Sequence, residues 1–264
     1  MPFPKSPRVI YQKNPLTEVV CQFRFPTILR IGAEEPAEFQ ERIRREYPMY
    51  ALQQPSVEMP PVPSELSAML RHLQFPVPPG LSTHRFSAKD SLRSITLSQN
   101  FVAFTELRYS RWELFRPEMQ KAVTALEEVY QPAFYTRIGL RYKDLIARHE
   151  LGLDGAKWSD LLKSYIVGTL GAQEVADHMI RTQTQSVIEL EEVPGARATM
   201  IHGLTKPRGR NEGCYLIDID FAVEKAEGIN EPFSVLDRFN QLGGYFFRWS
   251  ITDTLHNAME PITL

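Results

Sequence analysis

Phe134-Tyr-Thr-Arg-Ile-Gly-Leu-Arg-Tyr-Lys-Asp-Leu-Ile146, at the middle of the chain, alternates apolar and cationic residues and reads as a β-strand. Successive strand side chains point to opposite faces, so Ile138, Leu140 and Tyr142 share one face and Arg137, Arg141 and Lys143 the other. A stretch near the N-terminus, Thr17-Glu-Val-Val-Cys-Gln-Phe-Arg-Phe25, echoes it. There Val19, Cys21, Phe23 and Phe25 lie on one face, with Glu18, Val20, Gln22 and Arg24 on the other. Thr17 and Thr136 correspond, 119 residues apart (136 − 17).

The elements after each of these strands come in the same order. After the first, Pro36–Tyr47 reads as a helix, with Phe39 and Ile43 at helical spacing and Pro48 as its stop. Three strands, Thr83–Lys89, Leu92–Ser98 and Phe101–Tyr109, are joined by the turn-prone pairs Asp90-Ser91 and Gln99-Asn100. Such short connections require antiparallel neighbours. A helix from about Trp112 to Tyr130 closes the first series; Pro117 is tolerable in a first turn, which would start the regular helix at Phe115 or Arg116. After the central strand, Trp158–Leu170 reads as a helix, and Ser186–Glu192, Arg197–Thr205 and Gly213–Glu224 read as strands. The last element, about Phe233–Met259, reads as a helix broken or kinked at Gly243-Gly244.

These orders predict an α+β protein. Two internally duplicated strand-helix-three strands-helix halves, 1–132 and 133–264, would form a curved antiparallel sheet with helices on one face. The two halves would share one continuous sheet. Two segments fall outside the scheme. The first fifteen residues are extended by Pro2, Pro4, Pro7 and Pro15. The stretch Pro48–Gly80 carries eight prolines and would hold a short helix, Ser64–Leu73, and a polyproline-like run at Pro60–Pro63.

Composition sets the outer bounds. A chain of 264 residues can bury a substantial core, and 43% hydrophobic with 23% charged residues is ordinary for a globular protein. The net charge of −2 exerts no global pull on nucleic acid or anionic membrane. No apolar run reaches membrane-spanning length, and no signal-peptide pattern opens the sequence, so a cytoplasmic location is expected, without membrane contact. Cys21 and Cys214 each sit in an apolar run and read as buried thiols. No zinc spacing, GxSxG, HExxH or Walker pattern occurs, so the expectation leans away from an enzyme and names no cofactor.

The segments Arg137-Ile-Gly-Leu-Arg-Tyr142, Trp112-Glu113 with Phe115, and Phe247-Arg-Trp-Ser-Ile-Thr-Asp253 resemble those of a sporadically distributed prokaryotic family. Its members are about this length and have no settled function. The Pro48–Gly80 segment has no counterpart in that resemblance. The likeness implies a bacterial or archaeal origin and patchy inheritance, as for mobile or defence-linked genes. It carries over no catalytic residue.

Four groups of residues are candidates for function. Arg24, Arg137, Arg141 and Lys143 form a cationic sheet face suited to phosphate or carboxylate, or else to pairing with acids on neighbouring strands such as Glu189, Glu191, Asp218 and Asp220. Asp218 and Asp220, two apart on one strand, could point at one metal ion. Lys206, Arg208 and Arg210 populate a glycine-flanked hairpin loop able to meet phosphates, or simply solvent. Tyr245, Phe246, Phe247 and Trp249 give the last helix more apolar surface than one stripe needs, which points to core with a residual partner interface. The resulting expectation is a non-catalytic protein-interaction component, such as an antitoxin, immunity or accessory subunit. Its partner would be a protein encoded nearby or a second copy of the chain. The alternatives are a nucleic-acid or nucleotide binder using the arginine face and basic loop and, further off, a metal-dependent phosphodiesterase.

Overall fold

The computed structural model describes residues 2–53, 83–207 and 212–263. The expected Ser64–Leu73 helix and the proline-rich run around it lie outside the described residues, as do Arg208 and Arg210.

In chain order the strands are β1 (Val9–Tyr11), β2 (Leu16–Arg24), β3 (Met49–Gln53), β4 (Thr83–Ser87), β5 (Arg93–Ser98), β6 (Phe101–Glu106), β7 (Arg137–Ile146), β8 (Thr184–Leu190), β9 (Ala196–Thr205), β10 (Cys214–Val223) and β11 (Pro261–Thr263). The helices are α1 (Leu29–Ala33), α2 (Ala37–Ile43), α3 (Trp112–Tyr130), α4 (Trp158–Leu161), α5 (Ser164–Val167), α6 (Gln173–Ala176), α7 (Pro232–Ser250) and α8 (Asp253–Ala258). Nine strands form one antiparallel sheet in the order β3-β4-β5-β6-β2-β7-β10-β9-β8. The protein is therefore α+β, built on a large antiparallel sheet.

The central strand pair is β2–β7, with Val19 opposite Tyr142, Cys21 opposite Leu140 and Phe23 opposite Ile138. Outward from that pair the order is β6-β5-β4-β3 on one side and β10-β9-β8 on the other. Alternation delivers the core as the sequence suggests. Val19, Cys21 and Phe23 of β2, and Ile138 and Leu140 of β7, have no exposed surface and join one apolar cluster. The same cluster takes Phe115, Met119 and Leu126 from α3 and Leu236, Phe239 and Phe246 from α7. Both long helices thus pack on one face of the sheet. Among the described residues, no helix is long and apolar enough to cross a membrane.

Several local expectations are corrected. Trp158–Leu170 is a series of short turns rather than one helix. Lys163 is extended and Gly168 has a positive φ of 52°, either of which ends a helix, and the apolar spacing instead reflects burial of Trp158, Leu161, Leu162 and Ile166. Strand β7 starts at Arg137, three residues after Phe134. The final helix runs through Gly243-Gly244 without interruption and breaks at Ile251, after which Thr252 caps α8 by accepting from the Leu255 N–H. The N-terminal segment is not merely extended, because β1 pairs with β11 at the opposite end of the chain. Met49–Gln53, the start of the proline-rich stretch, adds an unforeseen strand beside β4.

Candidate functional site

Arginine side chains on β7 meet acids, and the register explains how. Asp220 stands opposite Arg141 and Asp218 opposite Lys143 across the β7–β10 ladder, so each guanidinium reaches an acid on the same face. Arg141 grips Asp218 through Nε (2.7 Å) and a terminal nitrogen (2.5 Å), both residues being buried. Arg137 donates to Asp220 (2.6 Å), Glu224 (2.9 Å) and the Gln22 amide oxygen (3.2 Å). Gly139 makes room for this, since a Cβ there would stand 2.3 Å from the Arg137 guanidinium. The same Gln22 oxygen accepts from Arg24 Nε at 2.9 Å. Lys143 lies 3.8 Å from Glu18, its neighbour on β2. The cationic face and the carboxylate pair are therefore two halves of one network. Glu189 is directly opposite Arg197, away from it.

Among the described residues, no group of three or more His, Cys, Asp or Glu stands where it could hold a metal ion. Asp218 and Asp220 point at guanidinium groups instead. Lys206 is exposed at the end of β9. The aromatic run of α7 is largely taken up within the chain. Phe246 is buried edge-on against Phe3 (5.2 Å), Trp249 stacks on Tyr165 (4.3 Å), and Phe247 meets Tyr11 edge-on (5.7 Å). Tyr245 is half-buried at the border of a cavity.

That cavity, of about 680 Å³, lies between the N-terminal segment, the centre of the sheet and α7. Its position stems from three features. Residues 6–16 cross toward β2, tied down by the β1–β11 pairing. Gly243 brings α7 against the Tyr142 ring, where a Cβ would stand 2.9 Å from Cε2. Gly244, one residue on, faces open space at the rim. Aromatic side chains Tyr11, Tyr109, Trp112, Tyr142 and Phe247 supply much of the wall. Their polar ends are anchored. The Tyr142 hydroxyl donates to Asn240 Oδ1 (2.9 Å), and the Trp112 indole N–H donates to Asp237 Oδ1 (2.7 Å). The Tyr11 hydroxyl pairs with His256 Nδ1 (2.8 Å). Burial pushes the Tyr11 phenol up to about 12.

One side chain in this wall breaks the pattern of the sheet. Asp144 is in phase with Ile138, Leu140, Tyr142 and Ile146, so its carboxyl lies on the apolar, helix-covered face. Leu16 and Ile217 flank it on the adjoining strands. It is 4% exposed and lines the cavity. No hydrogen bond or ion pair joins its carboxyl to another described residue. Burial, reinforced by the Asp218 charge, lifts its ionisation well above the ordinary aspartate range. Sequence reading passed over Asp144, although the alternation that assigned Leu140 and Tyr142 inward assigns residue 144 inward as well.

No protein-family model and no curated protein matches the chain. Among solved structures, it is similar to the duplicated taurocyamine kinase from Schistosoma mansoni with bound transition state analog components, at 11% identity and a TM-score of 0.36. That match covers 87% of this chain and 32% of the kinase chain, so the chain spans about a third of it. A likeness this remote bears on neither fold nor function.

Proposed function

We propose that the protein works by binding, as a non-catalytic component whose recognition site is the cavity beside α7. One observation carries this reading: a buried carboxyl with no partner among the described residues opens into a space large enough for a small organic molecule. Ligand sites combine apolar walls with a few placed polar groups, and several hundred cubic ångströms is their usual size. A buried acid left unpaired is costly, so it favours a role over packing. The arginine face, by contrast, supports a structural role, because its charges are met by Asp218, Asp220, Glu224 and Glu18. The test is a thermal-shift screen of small metabolites on the wild-type protein and on Gly244→Phe, which places a ring at the cavity rim. Compounds that stabilise only the wild type support the reading; stabilisation that is equal in both, or absent throughout, defeats it.

A second reading, contact with another protein chain, is favoured by β3. It ends the described sheet, and Met49, Tyr50 and Leu52 are 58%, 37% and 49% exposed. Exposed apolar edges invite pairing with another chain. Light scattering and pull-down with Leu52→Glu test it. An unchanged mass and an unchanged set of bound proteins would set it aside.

A further inference from the structure

Resting on the cavity as the recognition site, we infer that the ligand is a small primary amine whose ammonium group seats on the Asp144 carboxylate, enclosed by the aromatic walls. Three observations converge on this class.

The first is the charge left to be matched. Arg8 pairs with Glu113, Arg238 with Glu192 and Arg248 with Asp253, so these cations of the cavity wall already have acids. Asp237 holds the Trp112 indole and Arg116. Arg111 is at the exposed rim. Deep in the cavity, the group without a partner among the described residues is an acid, and its complement is a cation or strong donor. The second is the wall. Faces of Tyr, Trp and Phe attract ammonium groups through the ring quadrupole, and Tyr11, Tyr142 and Phe247 line the space that Asp144 enters. The third is placement on a rigid strand. Asp144 sits on β7, paired on both sides, which fixes the carboxylate without loop ordering.

The protonation bookkeeping gives a signature that shape alone would not. Unliganded, the carboxyl keeps its proton to a higher pH than an ordinary aspartate. An ammonium arriving there leaves an ammonium–carboxylate pair and releases that one proton to solvent. The titratable groups coupled to Asp144 are Tyr11 on the N-terminal segment, Tyr142 on its own strand and Asp218 through the sheet on β10, while Arg248 on α7 lines the same cavity and acts on Tyr11. His256, held by Tyr11, is shifted down by burial and the Arg248 charge. Of these, Asp144 is the group that binding of a cation would deprotonate.

The experiment is titration calorimetry near pH 5, above the ordinary aspartate value of about 3.9, in two buffers of different ionisation enthalpy. The probes are butylamine and phenethylamine, each beside its alcohol, butanol and phenethyl alcohol. Wild type should bind the amines at least about ten-fold more tightly than the alcohols, as expected for a charge-assisted hydrogen bond. It should also release protons, up to one per amine bound. Asp144→Asn should abolish the preference and the proton release, while Gly244→Phe should weaken every probe. Equal affinity for amines and alcohols, no binding of either amine, or a preference that survives Asp144→Asn would overturn the amine assignment. Probes that bind wild type and Gly244→Phe alike would instead overturn the cavity itself, so the two failures are distinct.

Discussion

Arg141 and Asp218 form a forked ion pair with both partners buried, at 6% and 2% exposure. Arg8 and Glu113 form a fork of similar geometry, 2.6 and 2.8 Å, with both side chains about half exposed. The two pairs differ chiefly in burial, which makes them a matched contrast. Removing one partner of a buried pair strands the other charge without water, at a cost of about 3–5 kcal/mol. Removing one partner of an exposed pair costs under about 1 kcal/mol. Arg141→Met should therefore lower stability by about 4 kcal/mol, and Glu113→Ala by a few tenths. For a chain of this length that is roughly a 10 °C fall in melting temperature against a change of about 2 °C or less. The double variant Arg141→Met, Asp218→Leu replaces the pair by apolar groups and should recover most of the loss, a coupling of at least about 2 kcal/mol. Urea unfolding of wild type, Arg141→Met, Asp218→Leu, Glu113→Ala and the double variant measures all of this. Equal costs at the buried and exposed pairs, or a double variant costing the sum of its singles, would refute the view that this network is structural.

At Gly243 an added methyl meets the Tyr142 ring at 2.9 Å, so Gly243→Ala should cost about 1–3 kcal/mol of overpacking even though alanine favours a helix. At Gly244, where nothing lies within 4 Å, Gly244→Ala should gain up to about 1 kcal/mol; denaturation midpoints of the pair decide it. Asp144 has a folded-state ionisation raised above its unfolded one, so its contribution is full below about pH 3.9 and is lost as pH rises through the folded value. Asp144→Asn should then be more stable than wild type by a margin that grows about 1.4 kcal/mol per pH unit above that point until the carboxyl ionises; a margin independent of pH would contradict it. Cys21 and Cys214 are wholly buried, and burial drives the Cys21 thiol far up, so neither should react with a thiol reagent until the protein is unfolded.

Legibility in the sequence tracked the range of the interaction. Period-two alternation put Val19, Cys21, Phe23, Ile138 and Leu140 inward, because strand geometry needs no distant information. The spacing of α3 worked for the same reason: it ends at Tyr130 as expected, and it starts at Trp112 rather than at the Phe115 or Arg116 that Pro117 suggested. Gly243 misled, because its reason is the Tyr142 ring about a hundred residues away rather than local backbone freedom. Strand β1 meets β11 across almost the whole chain, and nothing in Val9-Ile10-Tyr11 names that partner. The arginines were legible as a face, but which acids they meet depends on the β7–β10 register, fixed only when the sheet assembles. Asp144 was legible in principle. Its phase with Ile138, Leu140 and Tyr142 points it inward, whereas its residue type suggests the solvated face, and in the fold the phase wins.

The centre of the sheet offers an internal control on that residue. Cys21 pairs with Leu140, and their separation (140 − 21 = 119) equals that of Thr17 and Thr136. Every facing pair of an antiparallel ladder carries a local twofold, and the one through Cys21–Leu140 sets 17–25 over 136–144, the stretches that echo each other in sequence. Applied once more, the offset sets Asp144 (144 − 119 = 25) against Phe25, which is 2% exposed and part of the apolar cluster. On one side of the axis the position is filled by a phenyl ring and the core closes. On the other side it holds a carboxyl, and a cavity stands beside it. An acid in so apolar a place lowers stability at neutral pH, a cost that the proposed ligand role would offset.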